Sequence, residues 1–187
     1  MPFRRITQEM GYEVAYPFDL REERVAPPDD RARFERLLDA HERRLRRFAA
    51  GIIADRDRLD DVLQEAYLKA YRKLPRRFES AGHELAWLYR VVYRCCLDEL
   101  RRRRPHEPLH EVEAHAEDVD RRLALDRALR ALRPADRAAI FLVGVAGLEH
   151  ADAARVLGVP RGTFSWRLSV ARSRFGAALA EEGIGDV

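Results

Sequence analysis

The sequence predicts an all-α protein of two small helical domains joined by an acidic linker. Apolar residues recur at helical spacing, and nowhere do they alternate as in a half-buried strand. Prolines and glycines fall between the periodic segments, where helices end. The charge also divides the 187-residue chain. Residues 31–104 carry net +8 and residues 121–187 net +4, while residues 105–120 hold six acids and no lysine or arginine. Two basic modules separated by an acidic segment indicate surfaces that face a polyanion.

A leader of unassigned role precedes the first domain. Residues 1–30 carry net −3 and end in Ala26-Pro27-Pro28-Asp29-Asp30, a sequence typical of a helix breaker. The first domain, residues 31–104, is almost free of proline and glycine apart from Gly51, Pro75 and Gly82. These breakers predict helices near 31–53, 57–74 and 84–104.

The second domain, residues 121–187, contains a predicted helix-turn-helix. One helix runs from about Val119 to Leu132, and Pro134 opens the next segment. The motif itself has a first helix that stops at Gly158 and a second that starts with Pro160, because glycine closes a helix without steric cost and proline suits its first position. The second helix has a buried stripe of Phe164, Leu168, Ala171 and Phe175. Its opposite side offers small residues and arginines to a DNA groove, with candidate contacts at Arg161, Thr163, Ser165, Trp166, Arg167 and Arg172.

The helix near 57–74 carries a candidate protein-docking surface. Leu59, Leu63, Ala66 and Ala70 form its buried stripe. The outward side holds Asp61, Gln64, Glu65, Leu68 and Arg72, so that an apolar residue stands among acids and an amide. Single exposed leucines are also common without any function, and composition alone leaves the two interpretations even.

The helix near 84–104 carries a candidate nucleic-acid surface. Its predicted core stripe is Leu85, Leu88, Val92, Cys96 and Leu100. Its predicted outward arc is Trp87, Arg90, Arg94, Asp98 and Arg101, leading into Arg102, Arg103 and Arg104. Aromatic rings beside arginines suit single-stranded nucleic acid, although Trp87 could pack against a neighbouring helix and Arg94 could pair with Asp98.

Cofactors, metals and membranes are not expected. The linker histidines His106, His110 and His115 have no neighbouring cysteine, which is weak evidence for a metal site. The two cysteines, Cys95 and Cys96, are adjacent in a predicted helix and point apart, so a reducing cytoplasm is the expected location. No apolar run approaches the ~18 residues of a membrane span, and the N-terminus lacks the apolar core of a signal peptide.

From residue 33 to about 179 the chain resembles a bacterial sigma factor of the extracytoplasmic-function group. The segment from Asp60 to Ala70, DDVLQEAYLKA, is similar to the family's docking segment for the clamp helices of RNA polymerase. Ala86 to Arg90 and Leu97 to Arg102 resemble its −10 promoter segment, and Leu132 to Arg137 with Gly147-Leu148 resemble the start of its −35-binding domain.

The resemblance implies a promoter-specificity subunit without catalytic activity. RNA polymerase core would bind Asp61, Gln64, Glu65 and Leu68, and the melted −10 strand would bind Trp87, Arg90, Arg94, Asp98 and Arg101. The loop from Phe78 to His83 would receive an unstacked base. Pro160 to Arg174 would lie on the −35 duplex, and the acidic linker would thread toward the polymerase active centre. The partners implied are RNA polymerase core, promoter DNA and an anti-sigma protein.

The chain departs from the family pattern at several positions. Arg94 stands where an asparagine is usual, and Ser165 and Trp166 replace a common Lys-Ser pair. Glu149 replaces the usual serine or threonine cap, and glutamate caps a helix less well. Two other classes stay open on sequence alone. One is a stand-alone helix-turn-helix regulator binding a two-fold symmetric site, and the other is a metal-dependent hydrolase using the linker histidines.

Overall fold

The computed structural model describes residues 28–53, 55–102 and 118–183. Within these ranges the chain forms seven helices and no strand, as the sequence predicts. Their bounds are α1 Pro28–Ala50, α2 Arg56–Arg72, α3 Ala81–Arg102, α4 Asp118–Arg130, α5 Pro134–Gly144, α6 His150–Leu157 and α7 Arg161–Glu181. None of the helices in the described ranges is long and apolar enough to cross a membrane.

Helix α1 begins three residues earlier than predicted, inside the segment that reads as a breaker. Proline tolerates the first position of a helix because its φ is already helical and its missing N–H has no intrahelical acceptor there. Pro28 therefore begins a helix. The rest of the leader, the acidic linker between Arg102 and Asp118 with its three histidines, and Arg103 and Arg104 lie outside the described residues.

The first three helices pack around the predicted apolar stripes. In α2 the side chains of Leu59, Leu63, Ala66 and Ala70 are all buried, which confirms that face. An N-cap fixes the start of α2, where the Asp55 carboxylate accepts from the backbone N–H groups of Asp57 and Arg58. The guanidinium of Arg58 also donates to Glu99 Oε1 at 2.8 Å, which ties α2 to α3.

Helix α3 is buried around nearly its whole circumference. Every residue from Leu85 to Tyr93 is buried, and nine consecutive residues cover two and a half turns, so all directions around the axis are occupied. The cause is that α3 contacts α1 and α2 of its own domain and also α6 of the second domain. The interface with α6 is among the most extensive in the molecule.

The two predicted domains therefore share one continuous apolar core. Buried residues of α1–α3 and of α5–α7 belong to the same cluster. At the junction Tyr93 of α3 lies close enough to Arg167 and Asp136 for their charges to act on its hydroxyl, while burial raises the pKa of Tyr93 to about 12. Gly51 and Gly82 also lie close to the second domain. Gly51 lies against Phe141, and Gly82 lies against Asp152.

The helix-turn-helix forms where the sequence places it. Gly158 ends α6 in the left-handed conformation, at φ 72° and ψ 39°, and its N–H caps the helix. Pro160 stands one position before the first residue of α7 rather than at it, because Arg161 begins the helix. Phe164, Leu168 and Ala171 are buried as predicted, while Phe175 is half-buried.

Candidate partner and nucleic-acid interfaces

The docking surface on α2 is exposed as predicted. Leu68 is 57% exposed, and Asp61 and Gln64 are exposed beside it. Glu65 is half-buried, with Oε1 2.7 Å from Lys69 Nζ and Oε2 3.5 Å from Arg102 Nη1. The hydrogen bond from Lys69 lowers the pKa of Glu65, so this carboxylate stays ionised. The surface presents an apolar side chain inside a polar rim of mixed charge, in which Lys69 and Arg102 pair with Glu65.

The predicted outward arc of α3 is wrong for its first two residues. Trp87 is only 3% exposed and Arg90 only 7% exposed. The indole ring packs on Phe78 with centroids 5.5 Å apart, and its Nε1 is buried without a hydrogen-bond partner in the described chain. In this arrangement neither residue reaches a nucleic acid.

The remaining residues of that arc become more accessible toward the C-terminal end of α3. Arg94 is half-buried, and burial lowers the pKa of its guanidinium. Asp98 is half-exposed and pairs with Arg101 at 3.2 Å, and its charge also acts on Arg94, four residues before it. Arg101 is exposed. The arc thus divides into a buried half and an accessible half.

The loop predicted from Phe78 to His83 ends sooner, because α3 begins at Ala81 and its first turn includes His83. The guanidinium of Arg33 in α1 lies 5.4 Å from the Phe78 ring centre and donates to the carbonyls of Pro75 and Arg76 at 2.7 and 3.0 Å. Ser80 Oγ accepts from the backbone N–H of His83 at 3.1 Å. These contacts hold the segment before α3 against α1.

The outer side of α7 is available to DNA. Arg161, Trp166 and Arg172 are exposed, and Trp166 is 65% exposed, which is unusual for so large an apolar ring. Thr163, Ser165 and Arg167 are half-buried at the edges of this side. No acidic residue occurs between Arg161 and Phe175, so the exposed face is cationic.

Two side-chain clusters beside α7 were missed by the sequence reasoning. Asp136 is fully buried and accepts from Arg133 at 2.9 Å and from Arg174 of α7 at 3.3 Å. The Arg133–Asp136 spacing of three residues is visible in the sequence, but Arg174 is 38 residues away. The second cluster joins His150 to Ser165 and Phe164, and only the turn between α6 and α7 brings these residues together.

Family comparisons agree with this two-part architecture. Residues 37–106 match the family model described as Sigma-70 region 2, and residues 122–175 match Sigma-70, region 4. The ECF RNA polymerase sigma factor SigM of Mycobacterium tuberculosis is 36% identical over 156 residues, covering 80% of this chain and 79% of SigM. The ECF RNA polymerase sigma factor EcfG of Rhodopseudomonas palustris is 31% identical over 159 residues, covering 76% and 82%.

Solved structures show the same fold. The sigma factor RpoE of Bartonella quintana, in complex with the anti-sigma factor NepR, matches with a TM-score of 0.61 and 25% identity over 82% of this chain and 98% of RpoE. CnrH, in complex with the cytosolic domain of CnrY, matches with a TM-score of 0.62 and 24% identity over 81% of this chain and 90% of CnrH.

The fold and the two matched regions define a sigma-70-type transcription initiation factor. Within that class the chain belongs to the extracytoplasmic-function group of sigma factors. Its function is therefore promoter-specific initiation of transcription, and the stand-alone regulator is not favoured.

Proposed function

We propose that this chain binds RNA polymerase core through α2, the melted −10 strand through α3 and the −35 duplex through α7, and that it performs no catalysis itself. The exposed Leu68 inside its polar rim is the observation that carries the polymerase contact. A large exposed apolar residue at the centre of a polar ring is the arrangement that concentrates binding energy at protein interfaces. The domains proposed for these tasks are residues 31–104 and 121–187.

Binding of the −10 strand requires a rearrangement. Arg94, Asp98 and Arg101 can meet a single strand in the described arrangement, but Trp87 and Arg90 cannot because they are buried. A movement that exposes the indole would also let Trp87 Nε1 find a hydrogen-bond partner, and a polar group buried without one costs about 1–3 kcal/mol.

Binding of the −35 duplex requires no such change at Arg161, Trp166 and Arg172, which are already exposed. Thr163, Ser165 and Arg167 lie at the margins of the same helical face. The arginines would contact phosphates and base edges, and Trp166 would offer apolar contact to a thymine methyl group. Weak contacts at two promoter elements reinforce each other because one chain carries both.

We also propose a cytoplasmic location and an anti-sigma partner. RNA polymerase and DNA would be the other partners. The chain would bind the anti-sigma protein, RNA polymerase and DNA in the cytoplasm. The RpoE and CnrH structures support the anti-sigma partner, since RpoE was solved with an anti-sigma factor and CnrH with the cytosolic domain of CnrY.

Run-off transcription with core polymerase tests the docking surface through Leu68→Arg. This change places a cation at the centre of the surface, so we expect loss of core binding in size-exclusion chromatography and loss of transcript. Leu125→Arg on α4 is the matched control, because Leu125 is 43% exposed and lies outside the docking surface. Equal transcription by the wild-type chain and Leu68→Arg would contradict the proposal.

A further inference from the structure

His150 links the first helix of the helix-turn-helix to the DNA-facing end of the second. Its Nδ1 lies 3.2 Å from Ser165 Oγ, within hydrogen-bond distance. Its ring stands edge-on to the fully buried Phe164, with centroids 5.6 Å apart and an interplanar angle of 67°. Ser165 is half-buried, and the residue after it, Trp166, is largely exposed. The imidazole therefore contacts the serine at the edge of the proposed reading surface.

A serine hydroxyl without such a partner discriminates poorly between DNA bases. It carries one proton and two lone pairs, and it rotates to suit whatever group it meets. In the major groove it can therefore donate to purine N7, guanine O6 or thymine O4, or accept from adenine N6 or cytosine N4. A hydrogen bond from a fixed neighbour reduces this ambiguity, because it occupies one lone pair or the proton and restricts the rotation of the hydroxyl.

We propose that His150 is a positioning residue for promoter specificity, which rests on the −35 role of α7 given above. Its Nδ1–H donates to Ser165 Oγ, and the serine proton is then directed to an acceptor on one −35 base pair. This direction suits the surroundings, because the phosphates and every purine N7 are acceptors. His150 itself touches no base. Its effect passes through Ser165.

Two substitutions separate this role from simple packing. His150→Phe keeps a ring against Phe164 but removes the donor. His150→Asn loses the ring but retains an amide N–H near the place of Nδ1. A packing role predicts that the phenylalanine variant behaves like the wild type, and the positioning role predicts that the asparagine variant does.

The test uses the full chain with RNA polymerase core and a pool of promoter duplexes randomised over the −35 element, with sequencing of the transcribed fraction. We expect His150→Phe to lose about five- to tenfold discrimination at one base pair, the effect of one hydrogen bond, with the other positions unchanged. His150→Asn should retain most of that discrimination. Ser165→Ala should lose the same preference, and adding His150→Phe to it should change nothing further. Thermal denaturation of each variant checks that it is folded.

Three results would overturn the inference: an unchanged profile in His150→Phe, a uniform loss over all −35 positions, or additive effects of His150→Phe and Ser165→Ala. A wild-type chain that selects no −35 sequence with core polymerase would instead remove the proposed function on which the inference rests.

Discussion

Gly51→Ala probes the contact between the two domains. A Cβ built on Gly51 would overlap Phe141 Cε2 and lie 2.6 Å from Cζ and 3.0 Å from Cδ2, whereas ordinary contacts of this kind begin near 3.4 Å. The ring must therefore withdraw by about 1 Å, or the second domain must move away from α1. Overpacking of this kind costs about 1–3 kcal/mol. We expect Gly51→Ala to lower the free energy of unfolding by an amount near the lower end, because Phe141 also lines a cleft of about 320 Å³ into which its ring can turn.

The same substitution in a Phe141→Ala background reverses the sign of the effect. Gly51 does not have a positive φ, so alanine fits its backbone without strain. With the ring absent, the substitution only reduces the freedom of the unfolded chain and should stabilise by about 0.4–1 kcal/mol. Urea denaturation of the four proteins gives the coupling between the two sites. Small-angle X-ray scattering then shows whether the single Gly51→Ala variant has a larger radius of gyration. Equal effects of Gly51→Ala in the two backgrounds would refute the described packing of the domains.

Three further predictions concern stability and reactivity. Glu149→Ser should raise the free energy of unfolding by about 1 kcal/mol in urea, because Glu149 makes no side-chain cap to α6 and serine supplies one; no gain would contradict this N-cap assignment. Asp136→Ala should lower it by about 1.5–3 kcal/mol, the range for charge-assisted hydrogen bonds, and not by more, since Arg133 and Arg174 are already exposed and regain water. Burial raises the pKa of Cys95 to about 11 and that of Cys96 still further, so at pH 8 only about one Cys95 thiol in a thousand is ionised. Mass spectrometry should therefore find iodoacetamide adducts on both cysteines only after the protein is unfolded. Rapid alkylation of the native protein would contradict their burial.

The sequence alone determined the helices, their order and the turn of the helix-turn-helix. These features depend on local causes: apolar periodicity over each helix, Gly158 in a left-handed cap, and proline at helix starts. The buried stripe of α2 and the exposure of Leu68 also followed, since a helix of known phase against one core has only one inner face.

Only the tertiary structure decided which residues of α3 are exposed to solvent. Periodicity identifies one buried stripe, but α3 packs against helices of both domains and is buried all round from Leu85 to Tyr93, so Trp87 and Arg90 are buried despite a phase that predicts exposure. The same holds for Asp136 with Arg174 and for His150 with Ser165, whose partners are 38 and 15 residues apart. Such contacts depend on how formed helices pack against one another. The apolar pattern of one helix does not indicate which other helices it will contact.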